Sequence, residues 1–134
     1  MIHDKEYIIR IVQQFSEFLN RMILEKNEGE LPDHQRTFDT QMKDVFKMSF
    51  EELEQLSSDE IVFLVAERET KHQILFFELL GHLFYLKRET KNTENLKKSM
   101  FFYGLYLEKS GIFSLPIINR ISELKNISHG ITNG

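Results

Sequence analysis

Between Lys71 and Lys109 the chain holds two helix-length segments that are apolar on more than one side, with only a few polar residues between them. From Lys71 to Arg88 it carries Ile74, Leu75, Phe76, Phe77, Leu79, Leu80, Leu83, Phe84 and Leu86. From Glu94 to Lys109, Leu96, Met100, Tyr103 and Leu107 fall on one helical face, and Phe101, Phe102, Leu105 and Tyr106 on another. A single apolar stripe satisfies one contact, whereas a helix apolar on two faces has to be covered from two directions. Because the polar turn from Glu89 to Asn92 is short, the pair predicts an antiparallel hairpin at the centre of the fold. Each helix also has an interior glycine, Gly81 and Gly104, at a cost of about 1 kcal/mol relative to alanine. Gly81 is expected to let the two helices approach closely, opposite a residue between Met100 and Gly104.

The rest of the chain reads as cover for that hairpin. Tyr7, Ile8, Ile11, Val12, Phe15, Phe18, Leu19, Met22 and Ile23 recur at helical spacing, predicting a helix from Asp4, as N-cap, to about Lys26. The run Glu25 to Gly29, with Pro32 close behind, is its stop signal. A second helix is expected over Asp33 to Lys47, with Phe38, Met42, Val45 and Phe46 on one face. Ser49-Phe50-Glu51-Glu52 and Ser57-Ser58-Asp59-Glu60 are capping boxes. In each, the serine oxygen takes one orphan N–H and the glutamate reaches back to another. Two starts so close together imply a very short helix and then another from Ser58 to about Arg68, with a break near Thr70. Thr93 is the expected cap of the second hairpin helix, which Ser110-Gly111 ends. Ser114 and Pro116 open a last helix, Leu115 to about Lys125, with Ile117, Ile118, Ile121 and Leu124 as its core face. Residues 126–134 are polar and glycine-containing and read as a mobile tail. The expectation is an all-α chain: one domain over 1–125, a compact bundle of about six or seven helices around the hairpin.

With 134 residues there is room for one domain with a core of its own. The absence of cysteine removes disulfides, thiolate metal sites and cysteine nucleophiles, and suits a reducing compartment. Asp and Glu outnumber Lys and Arg by 21 to 17, which argues against a nucleic-acid partner, since phosphate neutralisation calls for a basic excess. The opening MIHDKEYIIRIVQQF lacks the apolar run and cleavage site of a signal peptide, and no stretch is apolar for about 18 residues. The reading is a cytoplasmic protein with no membrane partner.

Phe77-x-x-Leu80-Gly81-x-x-Phe84 has the spacing of the first helix of a tetratricopeptide repeat. The match fades in the second helix, only one unit is present, and the chain has a single alanine, Ala66. The hairpin is therefore tetratricopeptide-like without being part of a repeat array. Three blocks resemble an uncharacterised family of small bacterial all-helical proteins, a domain of unknown function described as tetratricopeptide-like. They are Glu6 to Phe15 with Phe18-Leu19, Phe50 to Ile61, and the hairpin from Leu75 to Leu107. What that resemblance implies is a fold and a bacterial cytoplasmic setting; it brings no activity, cofactor or site residue.

Candidates for chemistry are few. Glu69-Thr70-Lys71-His72 has the Glu-x-x-His spacing of di-iron bundles, but the other ligands of such a site are missing, and a solvated helix start is the expected reading. Glu78 and His82 lie four apart on the first hairpin helix, as a hydrogen-bonded pair or as the wall of a pocket reached also by Tyr103. Lys87, Arg88, Lys91, Lys97 and Lys98 form a basic cluster beside Tyr85, Phe101 and Phe102, diluted by Glu89 and Glu94 and read as solvated helix ends. No phosphate loop, nucleophile elbow or zinc motif occurs. The first expectation is thus a non-enzymatic interaction or adaptor module without cofactor or metal. Phe101, Phe102, Leu105 and Tyr106 would be its partner-contact surface, for another protein or for a second copy in a homodimer. The alternative is a small-molecule-binding or catalytic helical protein with its pocket at Glu78, His82 and Tyr103.

Overall fold

The hairpin is where the sequence places it, and it organises everything else. The computed structural model describes residues 2–25, 32–89 and 92–133. Seven helices, and no strand, occur among the described residues: α1 (Ile2–Glu25), α2 (Pro32–Phe46), α3 (Phe50–Glu54), α4 (Ser58–Val65), α5 (Thr70–Leu86), α6 (Glu94–Ser110) and α7 (Leu115–Asn133). The most extensive packing is α5 on α6, followed by α1 on α5, α6 on α7 and α1 on α2. The chain is an all-α compact bundle, with α5 at its centre.

Ten residues of α5 are buried, from His72 to Tyr85, as a helix covered from two sides must be. One line of phenylalanine rings ties the bundle together: Phe15, Phe38, Phe50, Phe84, Phe102 and Phe77 are neighbours in that order, with centroids 5.7 to 6.3 Å apart. The line crosses α1, α2, α3, α5 and α6, so it joins the hairpin to its cover. Such ring contacts add about 0.5–1.5 kcal/mol per pair to the burial of their area.

Both capping boxes form. Ser49 Oγ accepts from Glu52 N at 3.2 Å and Glu52 Oε1 accepts from Ser49 N at 3.0 Å; for Ser57 and Glu60 the distances are 3.1 and 2.8 Å. α4 ends at Val65, short of the expected Arg68, because Gln73 Nε2 reaches back to the carbonyl oxygens of Arg68 (2.6 Å) and Ala66 (3.4 Å) and holds the turn before α5. Thr93 is not the cap of α6: its backbone is already helical and its hydroxyl takes no N–H, while Asn92 Oδ1 accepts from Glu94 N at 3.0 Å. Gly111 closes α6 in the left-handed conformation, φ 68°. α1 begins at Ile2, so Asp4 lies within it; the Asp4 side chain and the expected stop at 26–29 lie outside the described residues, as does Lys91. α7 runs on to Asn133, through the polar, glycine-containing segment read as a tail beyond Lys125.

At Gly81 the close approach is real, but its occupant is a ring. A Cβ there would stand 2.3 to 2.8 Å from three atoms of the Tyr103 ring, so the glycine makes room for the tyrosine that α6 lays across α5. Ser99 Oγ donates to Gly81 O at 2.9 Å from the same side. Gly104 has open space around its missing Cβ, and its presence is not explained by packing.

Candidate functional site

Tyr103, once seated over Gly81, carries its hydroxyl to His82. Tyr103 Oη lies 2.6 Å from His82 Nδ1, and both residues are buried. From α7, Arg120 comes up against the same two atoms, with Nη1 3.1 Å from Tyr103 Oη and 3.3 Å from His82 Nδ1. Its Nη2 donates to Asn20 Oδ1 of α1 at 2.9 Å. A guanidinium can only donate, so His82 Nδ1 must be the acceptor and the ring proton sits on Nε2. The Tyr103 oxygen then accepts from Arg120 while its own hydrogen goes to His82.

These groups form one end of a cleft of about 450 Å3 bounded by α1, α5 and the start of α7. That volume is within the range of small-molecule pockets. Ser16 and Asn20 line it from α1, Glu78 and His82 from α5, and Ile117 and Arg120 from α7, with Gln13 and Glu17 at the exposed rim. His82, Ser16 and Arg120 are each less than a tenth exposed.

The electrostatics follow from this burial. Loss of water, with the Arg120 charge beside it, pushes the His82 pKa down to about 3, so the imidazole is neutral at ordinary pH. Burial raises Tyr103, which stays protonated, although Arg120 pulls the other way. Glu78 does not pair with His82. Burial raises its pKa, and the nearby Tyr106 hydroxyl works in the opposite direction. Behind the guanidinium lies the ring of Tyr85, 5.2 Å from Arg120 Cζ, and the Tyr85 hydroxyl donates to Glu123. Burial first and Glu123 second push the Tyr85 pKa up to about 12.

Arg120 is the centre of the site. Its three hydrogen bonds all go to neutral acceptors, and no carboxylate pairs with it among the described residues. Those bonds engage Nη1 and one hydrogen of Nη2; the Nε hydrogen and the second on Nη2 meet no acceptor among the described residues. A buried guanidinium normally has its donors paired and its charge matched. This one is held rigid and left half-used at the wall of a cleft.

Of the residues expected from sequence to wall a pocket, Glu78 and His82 line this cleft and Tyr103 lies one hydrogen bond behind. Arg120, Asn20 and Ser16 were missed. On a helical wheel Arg120 falls between Ile117 and Leu124, inside the buried stripe, but an arginine in a short amphipathic helix reads as solvent-facing. Ile118 and Ile121, assigned to the core face, are only half-buried.

The expected partner-contact surface divides. Phe102 is fully enclosed between Phe77 and Phe84, and Tyr106 is buried beside Glu78, so neither is presented to a partner. Phe101 is exposed and Leu105 half-buried. Among the basic cluster, Lys98 is buried and donates to Glu54 O at 2.8 Å, Lys87 lies 4.6 Å from the Phe38 ring centre, and Arg88 pairs with Glu123 at 3.4 Å. That corrects the reading of these three as solvated helix ends, whereas Lys97 is exposed. His72 is likewise buried, not solvated, and no His, Asp and Glu cluster fit for a metal occurs among the described residues. No helix among them is long and apolar enough to cross a membrane. Compared with known proteins, the chain matches no family model, no curated protein and no solved structure.

Proposed function

We propose that this protein binds a small molecule bearing an anionic group in the cleft between α1, α5 and α7, with Arg120 as the recognition residue. The observation that carries this reading is the half-used guanidinium. It is nine-tenths buried, clamped by Asn20, Tyr103 and His82, and keeps donor hydrogens for an acceptor that the described residues do not supply. Arginine with planar donors to spare suits a carboxylate or phosphate oxygen, and charge-assisted bonds of this kind are about twice as strong as neutral ones. Pre-orientation by three neutral partners lowers the entropy lost on binding.

Binding is favoured over catalysis by the state of the histidine. A general base needs a pKa near the working pH, and His82, at about 3, has its free nitrogen already facing two donors. The enclosure of Phe102 and Tyr106 favours the cleft over a partner-contact face on α6.

The test is a titration of the full chain with small carboxylates and inorganic phosphate, followed by amide and side-chain NMR. Saturable shifts should centre on Asn20, His82 and Arg120, and Arg120→Gln should abolish them. Because that variant also loses three hydrogen bonds, Asn20→Ala provides a milder check, expected to weaken binding while the fold persists. If no anion produces saturable shifts at the cleft of the wild-type protein, the reading is wrong.

A further inference from the structure

The cleft that holds the arginine also holds carboxylates, and this narrows what fits. Glu78 lies one helical turn before His82 on α5, so the two side chains leave the helix on the same side, with Cβ atoms about 5–6 Å apart. Arg120 is in contact with His82. Glu78 and Arg120 thus line the same cleft, Glu78 one turn along α5 from the histidine that Arg120 touches, and Glu17 adds a second carboxylate at the rim. Glu78 forms no ion pair among the described residues and is half-buried, with the Tyr106 hydroxyl as its polar neighbour.

Among the described residues Arg120 is the cleft's single cationic lining group, since His82 is neutral. A ligand that was only anionic would satisfy Arg120 and then face Glu78 and Glu17. A ligand that was only cationic would satisfy Glu78 and leave Arg120 as it is. Burying either carboxylate or guanidinium without its counter-charge is costly, and a ligand with both signs removes both costs together.

We infer that the cleft takes a small zwitterion, a carboxylate and an ammonium a few atoms apart, with the carboxylate on Arg120 and the ammonium on Glu78. This rests on the anion-binding reading of Arg120 and adds the second pole. The chemical class is an amino acid or a short ω-amino acid. Glu78 is the residue that tells such a ligand from a simple acid, and Arg120 the one that tells it from a simple amine.

The experiment is calorimetric titration of the full chain with glycine, β-alanine, γ-aminobutyrate and 5-aminovalerate, against butyrate and butylamine as single-charge controls. At least one member of the amino-acid series should bind about tenfold or more tightly than butyrate, as expected for one added charge-assisted contact. Glu78→Gln is close in shape and removes the charge; it should erase that preference and strengthen butyrate binding, which then no longer faces the Glu78 carboxylate. Butyrate binding as tightly as every amino acid, or a preference that survives in Glu78→Gln, overturns the zwitterion and leaves the anion site standing. Butylamine binding as tightly as the amino acids overturns it from the other side. Should none of the acids bind, the anion site itself fails and this inference falls with it.

Discussion

Two titratable groups of the cleft, His82 and Glu78, respond to acid in opposite directions, and the sign of each follows from its surroundings. His82 has a folded pKa near 3 against an ordinary value of 6.5, because water is excluded and Arg120 stands beside it. Between those values the unfolded chain binds the proton and the folded one does not. The His82 contribution is therefore present above about pH 6.5 and is lost as the pH falls towards 3. Glu78 is raised by burial, so the folded state holds its proton more tightly. Its contribution is full at low pH and is lost as the pH rises through its elevated folded value. Urea unfolding at pH 7 and pH 4.5 separates the two. Wild type should lose about 2 kcal/mol more than His82→Gln over that interval. Glu78→Gln should gain on wild type at pH 7 and gain less at pH 4.5. Profiles that run parallel in all three proteins would mean that neither group is buried as the structure has it. At this scale the sequence showed only half the site. Glu78, His82 and Tyr103 stood out because polar groups are scarce on so apolar a hairpin. Arg120 did not, because its burial depends on Tyr85 and Tyr103, residues distant in the chain.

At the scale of the elements, local signals were the most legible. The capping boxes at Ser49 and Ser57 appear in the structure residue for residue, since a cap is written within four positions of the chain. The cap of α6 was misassigned between neighbours, Thr93 for Asn92, because side-chain oxygens one residue apart compete for the same N–H. The two interior glycines show how far identical residue types diverge once packed. At Gly81 an added methyl meets the Tyr103 ring at 2.3 Å, and that ring is held by His82 and Arg120 and has no room to retreat. Gly81→Ala should cost about 1–3 kcal/mol, as overpacking does. At Gly104 the added methyl meets nothing within 4 Å, and Gly104→Ala should stabilise by about 0.5–1 kcal/mol through helix propensity alone. Chemical denaturation of both variants makes the comparison. Equal effects, or a destabilising Gly104→Ala, would mean that the hairpin is packed differently from the way described here.

For the molecule as a whole, cover comes from both ends of the chain. α1 and α7 flank α5 where the cleft lies, so the site joins residues up to 100 positions apart. No local pattern could have announced that. The two halves of α7 differ sharply in what they contribute. Ile117, Arg120 and Leu124 are buried, whereas after Leu124 the described side chains are exposed or, at Ser128, half-buried. The second half is made of poor helix formers and its described side chains have little tertiary packing, so it continues the helix of the packed half, which is why the sequence suggested an end near Lys125. Among the described side chains, deleting 126–134 removes Ile127, already more than a third exposed, as the main apolar contact, a loss of about 1–2 kcal/mol. The shortened chain should melt within about 8 °C of the full one and keep its affinity for whatever the cleft binds. Deleting from Ser114 instead takes away Arg120, Ile117 and Leu124 together, and uncovers His82 and Tyr103. That protein should lose its cooperative thermal transition by circular dichroism. A collapse already on removal of 126–134 would place the structural weight of α7 in its exposed half, contrary to the packing seen around Arg120.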